Sequence, residues 1–341
     1  ALFAKLGFNG GLVFKIIVAI VIMGLQVWLA AVGFRAIARF ERWTVPITLV
    51  VLAAMTIVAW TSSGVHWGYS GAGLHGTALW SSVTTLMTAI GIGWGITWFA
   101  YASDYSRFVS RSVSPVKLYF GSVLGQFIPT VWLGIFGATL ATISQKVDPG
   151  QLVVEAFGWL AIPVIFLVIH GPIATNVLNI YSCSLSALTL DWNIDRRKLS
   201  YGVGILALAF NIYLIVNGDF ASSLDAWLSG LVTWVAPWAT IMLIHFFWEK
   251  KSNIDVDSLF APPKTGTLPD ISWPAIIAFV LGIVATWSFE YAVPSFLQGP
   301  GAIALGGIDL SWLSGSIVAG LVYWIAISIQ RRPAPVALAT K

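Results

Sequence analysis

Nine apolar segments, each long enough to cross a membrane as a helix, constrain the fold of this chain more than any other feature. A helix needs about 17–25 residues to span the hydrocarbon core, and its backbone polar groups must be hydrogen-bonded within the chain. The fifth segment is too long for one straight helix, and we expect a short interfacial piece around 152–159 at its start. The predicted spans are 14–34, 43–60, 80–103, 118–143, 156–190, 199–217, 225–248, 273–292 and 311–329. The sequence therefore predicts an all-α polytopic membrane protein, with residues 1–341 in a single transmembrane domain.

The composition agrees with a chain that is embedded in a lipid bilayer. Hydrophobic residues make up 58% of the chain and charged residues only 9%, whereas a soluble domain carries about 25% charged residues. The net charge of +4 is small and does not indicate a nucleic-acid partner. Cys183 is the single cysteine, so the chain cannot form an internal disulfide.

The positive charges predict how the spans are oriented. Fifteen of the 18 Lys and Arg residues follow the first, third, fifth, seventh and ninth spans, whereas Lys5, Lys15 and Lys146 lie on the opposite side. Because positively charged loops remain in the cytoplasm, we expect a plasma (inner) membrane protein whose C-terminus is cytoplasmic. Ala1 would then lie outside. Since the chain starts without Met, we expect an odd number of spans upstream of it.

A polar stripe runs along the fifth span, within residues 170–190. At 100° per residue its members fall within an arc of about 120°; they are Pro172, Thr175, Asn176, Asn179, Ser182, Cys183 and Ser186. Amides are costly in hydrocarbon without partners, so the stripe marks a protein interior or a wet cavity. A binding face and interhelical hydrogen bonding are the two interpretations, and the number of polar groups favours a binding face. His170 falls on the opposite side, as expected of an interior histidine.

A glycine-rich run at 91–95 (GIGWG) lies inside the third span. Glycine weakens helices, and transporter sites often use unwound helix segments, but glycine also allows close helix packing. Both interpretations stay open. Trp94, Trp98 and Tyr101 offer flat faces for stacking a planar ligand, although aromatic residues also concentrate at membrane interfaces.

The charged residues of the spans predict no reaction chemistry. Asp104 and Arg107 are expected to form a local ion pair at a helix end. Glu290 and His245 lie near span ends, where we expect their side chains to snorkel towards the interface. The sequence has no motif of a hydrolase, a metalloprotease or a nucleotide-binding loop. We therefore expect neither a metal nor a cofactor, and a membrane enzyme or a channel is the alternative class.

Several segments resemble the purine–cytosine permease branch of the nucleobase–cation symporter-1 family. Residues 39–43 (RFERW) resemble the family's connection between its fourth and fifth helices, and 98–108 (WFAYASDYSRF) its sixth-helix signature. Residues 176–182 (NVLNIYS) resemble the eighth-helix motif, whereas 272–275 (SWPA) and 306–312 (GGIDLSW) resemble the last two helices. The similarity runs along essentially the whole chain in family order.

The resemblance implies a leucine-transporter-like inverted-repeat fold with twelve transmembrane helices. The nine spans would be helices four to twelve, which agrees with the orientation from the charges, and the first three would lie upstream of Ala1. It also implies a secondary active transporter that imports a nucleobase by cation symport, with alternating access around a midplane site. Hydantoin, allantoin or a vitamin such as thiamine or pyridoxine is the alternative cargo.

The resemblance assigns roles in cargo binding to four residues. It implies that Trp98, or the nearby Trp94, stacks on the planar heterocycle. It also implies that Asn176 and Asn179 provide an amide that hydrogen-bonds the edge of the heterocycle. These four residues are the predicted substrate-binding site.

The coupling ion follows from the same comparison. In sodium-coupled relatives the eighth helix provides one backbone carbonyl and two adjacent hydroxyls to the ion. Gly171 and Thr175 are the corresponding cation-binding residues, but Ala174 occupies the other hydroxyl position. This departure favours H⁺ over Na⁺ as the coupling ion.

Overall fold

Helices form most of the chain. The computed structural model describes residues 10–61, 64–71, 73–143, 152, 155–157, 161–190, 193–217, 220–261, 268–292 and 294–330. The helices are α1 (Leu12–Val32), α2 (Phe34–Thr61), α3 (Gly76–Ala100), α4 (Ala102–Ser106), α5 (Pro115–Ala141), α6 (Ala161–Leu188), α7 (Arg196–Asn217), α8 (Phe220–Leu243), α9 (Val256–Leu259), α10 (Trp273–Ser288), α11 (Pro300–Ala304) and α12 (Ser311–Gln330). A π-helical turn, Ile244–Glu249, continues α8. Within the described ranges the only extended pairing is a single bridge between Tyr291 and Gln298. The prediction of an all-α protein is confirmed.

Each predicted span corresponds to one of the nine longer helices in the described ranges. Seven helical segments, α1, α2 and α12 among them, are long and apolar enough to cross a membrane, while α10 is apolar but has 16 residues. The fifth span corresponds to α6. Of the interfacial piece around 152–159, Leu152 and residues 155–157 are helical, and the rest lies outside the described residues. The length and composition of these helices are those of a multi-pass membrane protein.

The chain divides into two compact units, which are described separately. The first unit comprises residues 1–71 and 103–221, and the second comprises residues 72–102 and 222–341. The first therefore contains α1, α2 and α4 to α7. The second contains α3 and, from residue 222 onwards, α8 to α12.

Helices α1, α6 and α7 form a core in the first unit. Val177 and Ile180 of α6 are buried in one apolar cluster with Val27 and Ala30 of α1. The side chain of Val27 also fills the space beside Gly204 of α7, where an added Cβ atom would overlap a Val27 methyl group. The backbones of α1 and α7 approach closely because residue 204 has no side chain.

Arg196, the first residue of α7, holds the C-terminal end of α1. Its guanidinium donates to the carbonyl oxygens of Ala30 at 3.0 Å and Ala31 at 2.8 Å, and it lies 5.2 Å from the centre of the Tyr181 ring. A helix leaves its last carbonyls without intrahelical donors, and its C-terminus favours positive charge. Gly33, with a φ of 111°, then turns the chain into α2 in a region of backbone space that favours glycine.

Small residues bring α10 and α12 together in the second unit. A Cβ atom on Gly282 would lie 2.6 Å from the Cβ of Pro237 and 2.8 Å from the Cβ of Ala319, and one on Gly315 would overlap the hydroxyl of Thr286. Helices in lipid attract each other mainly through close van der Waals packing, which small interface residues allow. These two helices therefore pack closely against each other in the second unit.

Candidate functional site

The long helix α6 has one buried face and one exposed face. Ile173, Val177 and Ile180 are buried in the core of the first unit. Part of the predicted polar stripe is exposed instead, and it consists of Pro172, Thr175, Asn179, Cys183 and Ser186. Their spacing of three or four residues places them along one side of the helix. These five residues are termed the exposed polar face of α6.

Asn176 belongs to the predicted stripe, but its amide faces α1. It donates to Oε1 of Gln26 at 2.6 Å, and Nε2 of Gln26 in turn donates to the carbonyl oxygen of Pro172 at 3.3 Å. Gln26 is only 3% exposed, so this is an interhelical hydrogen bond of the kind that joins membrane helices. Sequence reasoning missed Gln26. Its position as the single amide in the otherwise apolar segment 16–32 was the signal that could have found it.

Ser182, another member of the stripe, also has its partner within the first unit. It is buried, and its hydroxyl lies 2.9 Å from Oη of Tyr105. Nearby, Nη2 of Arg107 donates to Oη of Tyr181 at 2.9 Å and Nε donates to the main-chain carbonyl of Asp104 at 3.2 Å. Arg107 thus joins α4 to α6 through Tyr181 and contacts the backbone of Asp104, in place of the predicted ion pair with its carboxylate.

Asn179 is the amide of the stripe that remains available to a ligand. It is exposed, and its side chain forms no hydrogen bond to the part of the chain that the structure describes. Thr175, one turn earlier, is exposed on the same face. On the other side, His170 is buried with Nδ1 3.1 Å from Oγ1 of Thr48. The prediction of an interior histidine is confirmed.

The residues predicted to bind a cation lie one turn apart on α6. Gly171 is half-buried and Thr175 is exposed. The helix is continuous through both positions, so the carbonyl of Gly171 takes part in the hydrogen bonding of the helix itself. Ala174 is half-buried and adds only a methyl group beside Thr175.

Helix α3 changes its type where the sequence has its glycine-rich run. It is α-helical over Gly76–Leu86, π-helical over Met87–Trp94 and ends in a 3₁₀ turn at Trp98–Ala100. π-Helical segments are frequent at functional sites because they disturb the regular ladder of hydrogen bonds. The glycine-rich run therefore coincides with an irregular part of the helix, which widens there and does not unwind.

Gly93 shows that the same run also serves close packing. It is buried, and a Cβ atom at this position would lie 2.5 Å from the carbonyl oxygen of Leu228 in α8. Any side chain would force α3 and α8 apart. The close-packing interpretation of the glycine run therefore holds at Gly93.

The two tryptophans predicted to stack on a ligand lie at the end of this segment. Trp94 is 37% exposed, and Trp98 is half-buried with its ring in edge-to-face contact with Tyr101 at 5.3 Å between centroids. Phe99 makes a similar contact with Trp238 of α8 at 5.6 Å. Both tryptophans keep accessible surface, and Trp98 has an aromatic neighbour, which suits stacking of a planar ligand.

The residues predicted to form the site are divided between the two units. Trp94 and Trp98 lie within one turn of α3 in the second unit. The other four lie on two to three consecutive turns of α6 in the first unit, and they are Gly171, Thr175, Asn176 and Asn179. Within the first unit the structure separates the two asparagines: one contacts α1 and the other is exposed.

Glu290 and His245 differ from the expectation that both snorkel towards the interface. Glu290 is fully buried, and its Oε2 accepts a hydrogen bond from Oγ1 of Thr233 at 2.7 Å. Helix α10 ends at Ser288, so the chain turns inward at Glu290 and the prediction for this residue is wrong. His245 is half-buried in the π-helical turn, with Nδ1 2.7 Å from Oη of Tyr323.

Known proteins resemble this chain along most of its length. At 24% identity over 240 residues it matches a putative purine-cytosine permease of Bacillus subtilis, covering 68% of this chain and 52% of the relative. At 24% identity over 345 residues it matches a purine-uracil permease of Arabidopsis thaliana, covering 88% of this chain and 52% of the relative. At 24% identity over 328 residues it matches an allantoin permease of Bacillus subtilis, covering 90% of this chain and 62% of the relative. The chain thus spans about half the length of the first two of these curated relatives.

Comparison with protein-family models identifies the family. No solved structure gives a significant match to the chain. The family model for permeases of cytosine/purines, uracil, thiamine and allantoin matches residues 4–315. This match covers nearly the whole chain and confirms the resemblance inferred from the motifs. The chain therefore belongs to the family of permeases for cytosine/purines, uracil, thiamine and allantoin.

Proposed function

We propose that the complete protein is a secondary active transporter that imports a nucleobase of the cytosine or purine type by cation symport. The observation that carries this proposal is the exposed amide of Asn179 on an apolar helix of a permease-family chain. An amide without partners is costly in a membrane. A heterocycle with hydrogen-bond donors and acceptors along its edge would supply the missing partner.

The cargo in this proposal is a small planar heterocycle. Two of the relatives are named for purines together with cytosine or uracil. In the first unit, Asn179 would hydrogen-bond the edge of such a base. The resemblance to the permease family gives Trp98 or Trp94 the stacking role, an interaction worth about 1–3 kcal/mol per base. Allantoin, hydantoin, thiamine or pyridoxine is the second candidate cargo with the same mechanism, and the allantoin permease among the relatives favours it.

The proposed coupling ion is a proton. Ala174 supplies no hydroxyl at the position where sodium-coupled relatives offer one, which leaves Gly171 and Thr175 as the candidate cation residues. A proton needs one basic group, whereas Na⁺ needs several oxygen ligands. The absence of the second hydroxyl therefore supports proton coupling.

The proposed transport cycle exposes the site to each side of the membrane in turn. In inverted-repeat transporters, one helix bundle rocks against the other around a midplane site. Fifteen of the 18 Lys and Arg residues follow alternate spans, which supports a plasma (inner) membrane protein with a cytoplasmic C-terminus. The cycle includes no covalent step, and we propose no enzymatic activity.

Uptake of labelled cytosine by cells that express the complete protein tests this function. We expect saturable uptake that unlabelled purines and pyrimidines inhibit, that stops when the proton gradient is dissipated, and that continues without Na⁺. Cells with an empty vector are the control. Inhibition by hydantoin, allantoin or a vitamin, but by no nucleobase, would favour the second cargo. Sodium dependence with indifference to pH would contradict proton coupling, and uptake that never saturates would favour a channel.

A further inference from the structure

A row of hydroxyl side chains joins α3 to the turn that precedes α12 in the second unit. Oγ of Ser81 donates to the carbonyl oxygen of Gly307 at 2.7 Å. The backbone N–H of Asp309 donates to Oγ1 of Thr84 at 2.9 Å, and Oγ1 of Thr88 donates to Oδ1 of Asp309 at 2.9 Å. The spacing of three and four residues places the hydroxyls on one side of α3. Ser81, Thr84 and Thr88 are termed the hydroxyl row.

The turn that receives this row requires glycine. Gly306 and Gly307 have φ values of 74° and 86°, in the region of backbone space that other residues rarely adopt. A Cβ atom on Gly307 would also lie 2.7 Å from Oγ of Ser81 and 3.0 Å from the ring of Tyr291. The two glycines therefore let the turn approach α3 closely enough for the hydroxyl row to bind it.

Asp309 is surrounded by donors in the way that suits an ionised carboxylate. Its Oδ1 accepts from Oγ1 of Thr88 at 2.9 Å and from the N–H and the hydroxyl of Ser311 at 3.0 and 2.6 Å. Its Oδ2 accepts from the N–H of Tyr291 at 2.8 Å. The side chain is 1% exposed. An ionised carboxylate only accepts hydrogen bonds, and these four donors satisfy it.

Glu290 lies near Asp309 but has far fewer hydrogen-bond donors around its carboxyl group. It is 0% exposed, and its Oε2 accepts one hydrogen bond, from Thr233. Its Oε1 is buried and contacts no hydrogen-bond donor in the described ranges of the chain. The next residue, Tyr291, donates its N–H to Oδ2 of Asp309 at 2.8 Å, which places the two carboxyl groups close together. Ionising Glu290 would place a second buried charge next to the first with one donor to stabilise it, and neighbouring buried carboxyl groups avoid this when one keeps a proton.

We propose that Glu290 binds a proton beside the ionised Asp309, and that this proton stabilises the contact between the hydroxyl row and Asp309. While Glu290 is neutral, Asp309 can keep its charge and its hydrogen bonds. Loss of the proton brings two like charges together and weakens the contact. Among the described residues, the groups that face this proton are the hydroxyl of Thr233 from α8 and the carboxylate of Asp309, with Tyr291 as the adjacent titratable residue.

The proton site does not depend on the proposed transport function, but its consequence for transport does. Thr88 lies in the π-helical part of α3, just before the tryptophans predicted to stack on the cargo. A proton on Glu290 would stabilise the contact that fixes this half of α3. Binding of a coupling proton would thereby affect the helix that carries the predicted stacking residues. A spectroscopic measurement therefore tests the site, and uptake tests its role.

Infrared spectroscopy of the purified complete protein detects the proton directly. A protonated carboxyl group has a C=O stretch that is separate from that of ionised carboxylates and that shifts in D₂O. We expect such a band in the wild type at mildly acidic pH, its loss as the pH is raised, and its loss in Glu290→Gln. Asp257→Asn, which removes an exposed acid of α9, is the matched control and should keep the band. If no band at acidic pH depends on Glu290, the proposal is wrong.

A second variant keeps the test decisive if Glu290→Gln does not fold. Thr233→Val removes the hydroxyl that donates to Glu290 and should shift the frequency of the band without abolishing it. An unchanged frequency would overturn the assignment to Glu290. Na⁺ could also be tested as the ligand of this site. If Na⁺ stabilises the wild type, and Thr233→Val or Glu290→Gln abolishes that stabilisation, the site binds sodium and the proposal of a bound proton is wrong.

Uptake by the same variants separates the site from its role. Glu290→Gln imitates the neutral carboxyl group, so we expect the hydroxyl row to stay bound and uptake to lose its dependence on external pH. If Glu290→Gln shows the same pH dependence of uptake as the wild type, the role in transport is refuted even where the infrared band establishes the proton site. If no uptake of any candidate cargo occurs in the wild type, the proposed transport function fails and the infrared result still decides the site.

Discussion

The polar residues of α3 and of α6 follow the same helical spacing but have different surroundings. On α3, each member of the hydroxyl row, Ser81, Thr84 and Thr88, contacts the turn at residues 307–309. On α6, two members of the stripe have partners inside the first unit, whereas Asn179 is exposed. A polar group in a membrane helix needs a partner. Asn179, the amide of the stripe that the folded chain leaves exposed, is therefore the better candidate for binding a ligand.

The chemistry of the side chains explains part of this difference. The hydroxyl of Thr84 donates to the carbonyl of Trp80 in its own helix at 2.8 Å, so it needs only one further contact. Hydroxyl groups commonly satisfy themselves in this way. An asparagine amide has two donors and two acceptor positions, which its own helix cannot satisfy. A stripe that contains asparagines thus predicts an external partner more strongly than a stripe of serines and threonines.

Replacement of Asn179 should have the largest effect on transport. Asn179→Ala removes the exposed amide, and we expect uptake of labelled cytosine by the complete protein to fall by about tenfold or more, because the cargo would lose hydrogen bonds in a desolvated site. The measurement is initial uptake rate, normalised to the amount of protein in the membrane. Asn217→Ala, which removes an exposed asparagine at the end of α7, is the control and should transport normally. Normal uptake by Asn179→Ala would refute the site on α6.

Removal of the carboxylate that binds the hydroxyl row should have the next largest effect, on stability. Asp309→Ala leaves the buried donors of Thr88, Ser311 and Tyr291 without their acceptor. We expect a loss of about 3 kcal/mol, measured as a lower melting temperature in detergent. Asp257→Ala removes an exposed acid and should melt like the wild type. Equal melting of the two variants would show that the hydroxyl row does not hold α3.

The coupling energy between Gln26 and Asn176 should be smaller than the loss of stability expected for Asp309→Ala. In a double-mutant cycle with Gln26→Leu and Asn176→Leu, we expect a coupling of about 0.6 kcal/mol and at most about 1.7 kcal/mol, the range of hydrogen bonds between membrane helices. Thermal melting gives the coupling, and competition assays give cargo preference. We expect Asn176→Leu to leave cargo preference unchanged. A changed preference would instead support the role in cargo binding that the resemblance implies for Asn176.

The spans and the sides of α6 could be predicted from the sequence because hydrophobic length and periodicity are local properties. Which polar groups pair could not be predicted. Asn176 is 150 residues from Gln26, and Thr88 is 221 residues from Asp309. Periodicity states which side of a helix a residue occupies but not which helix packs there. Glu290 was assigned to the interface for the same reason, since its burial depends on how the chain turns after α10.

Labelling of Cys183 should give the smallest effect and needs no substitution. This free cysteine lies one turn after Asn179 on the exposed polar face. If that face lines the cargo site, saturating cargo should slow the reaction of Cys183 with a thiol reagent a few-fold, since an occupied site excludes the reagent. Mass spectrometry of the peptide that contains Cys183 measures the rate, and Asn179→Ala should abolish the protection.

A cysteine elsewhere on the protein provides the reference for this labelling. Ser122→Cys in a Cys183→Ser background places an exposed thiol on α5, and its labelling rate should be the same with and without cargo. If cargo protects neither cysteine, the exposed polar face lies away from the cargo. Its polar residues would then require partners from protein or water, and α6 would resemble α3, whose hydroxyl row holds it to the turn that precedes α12.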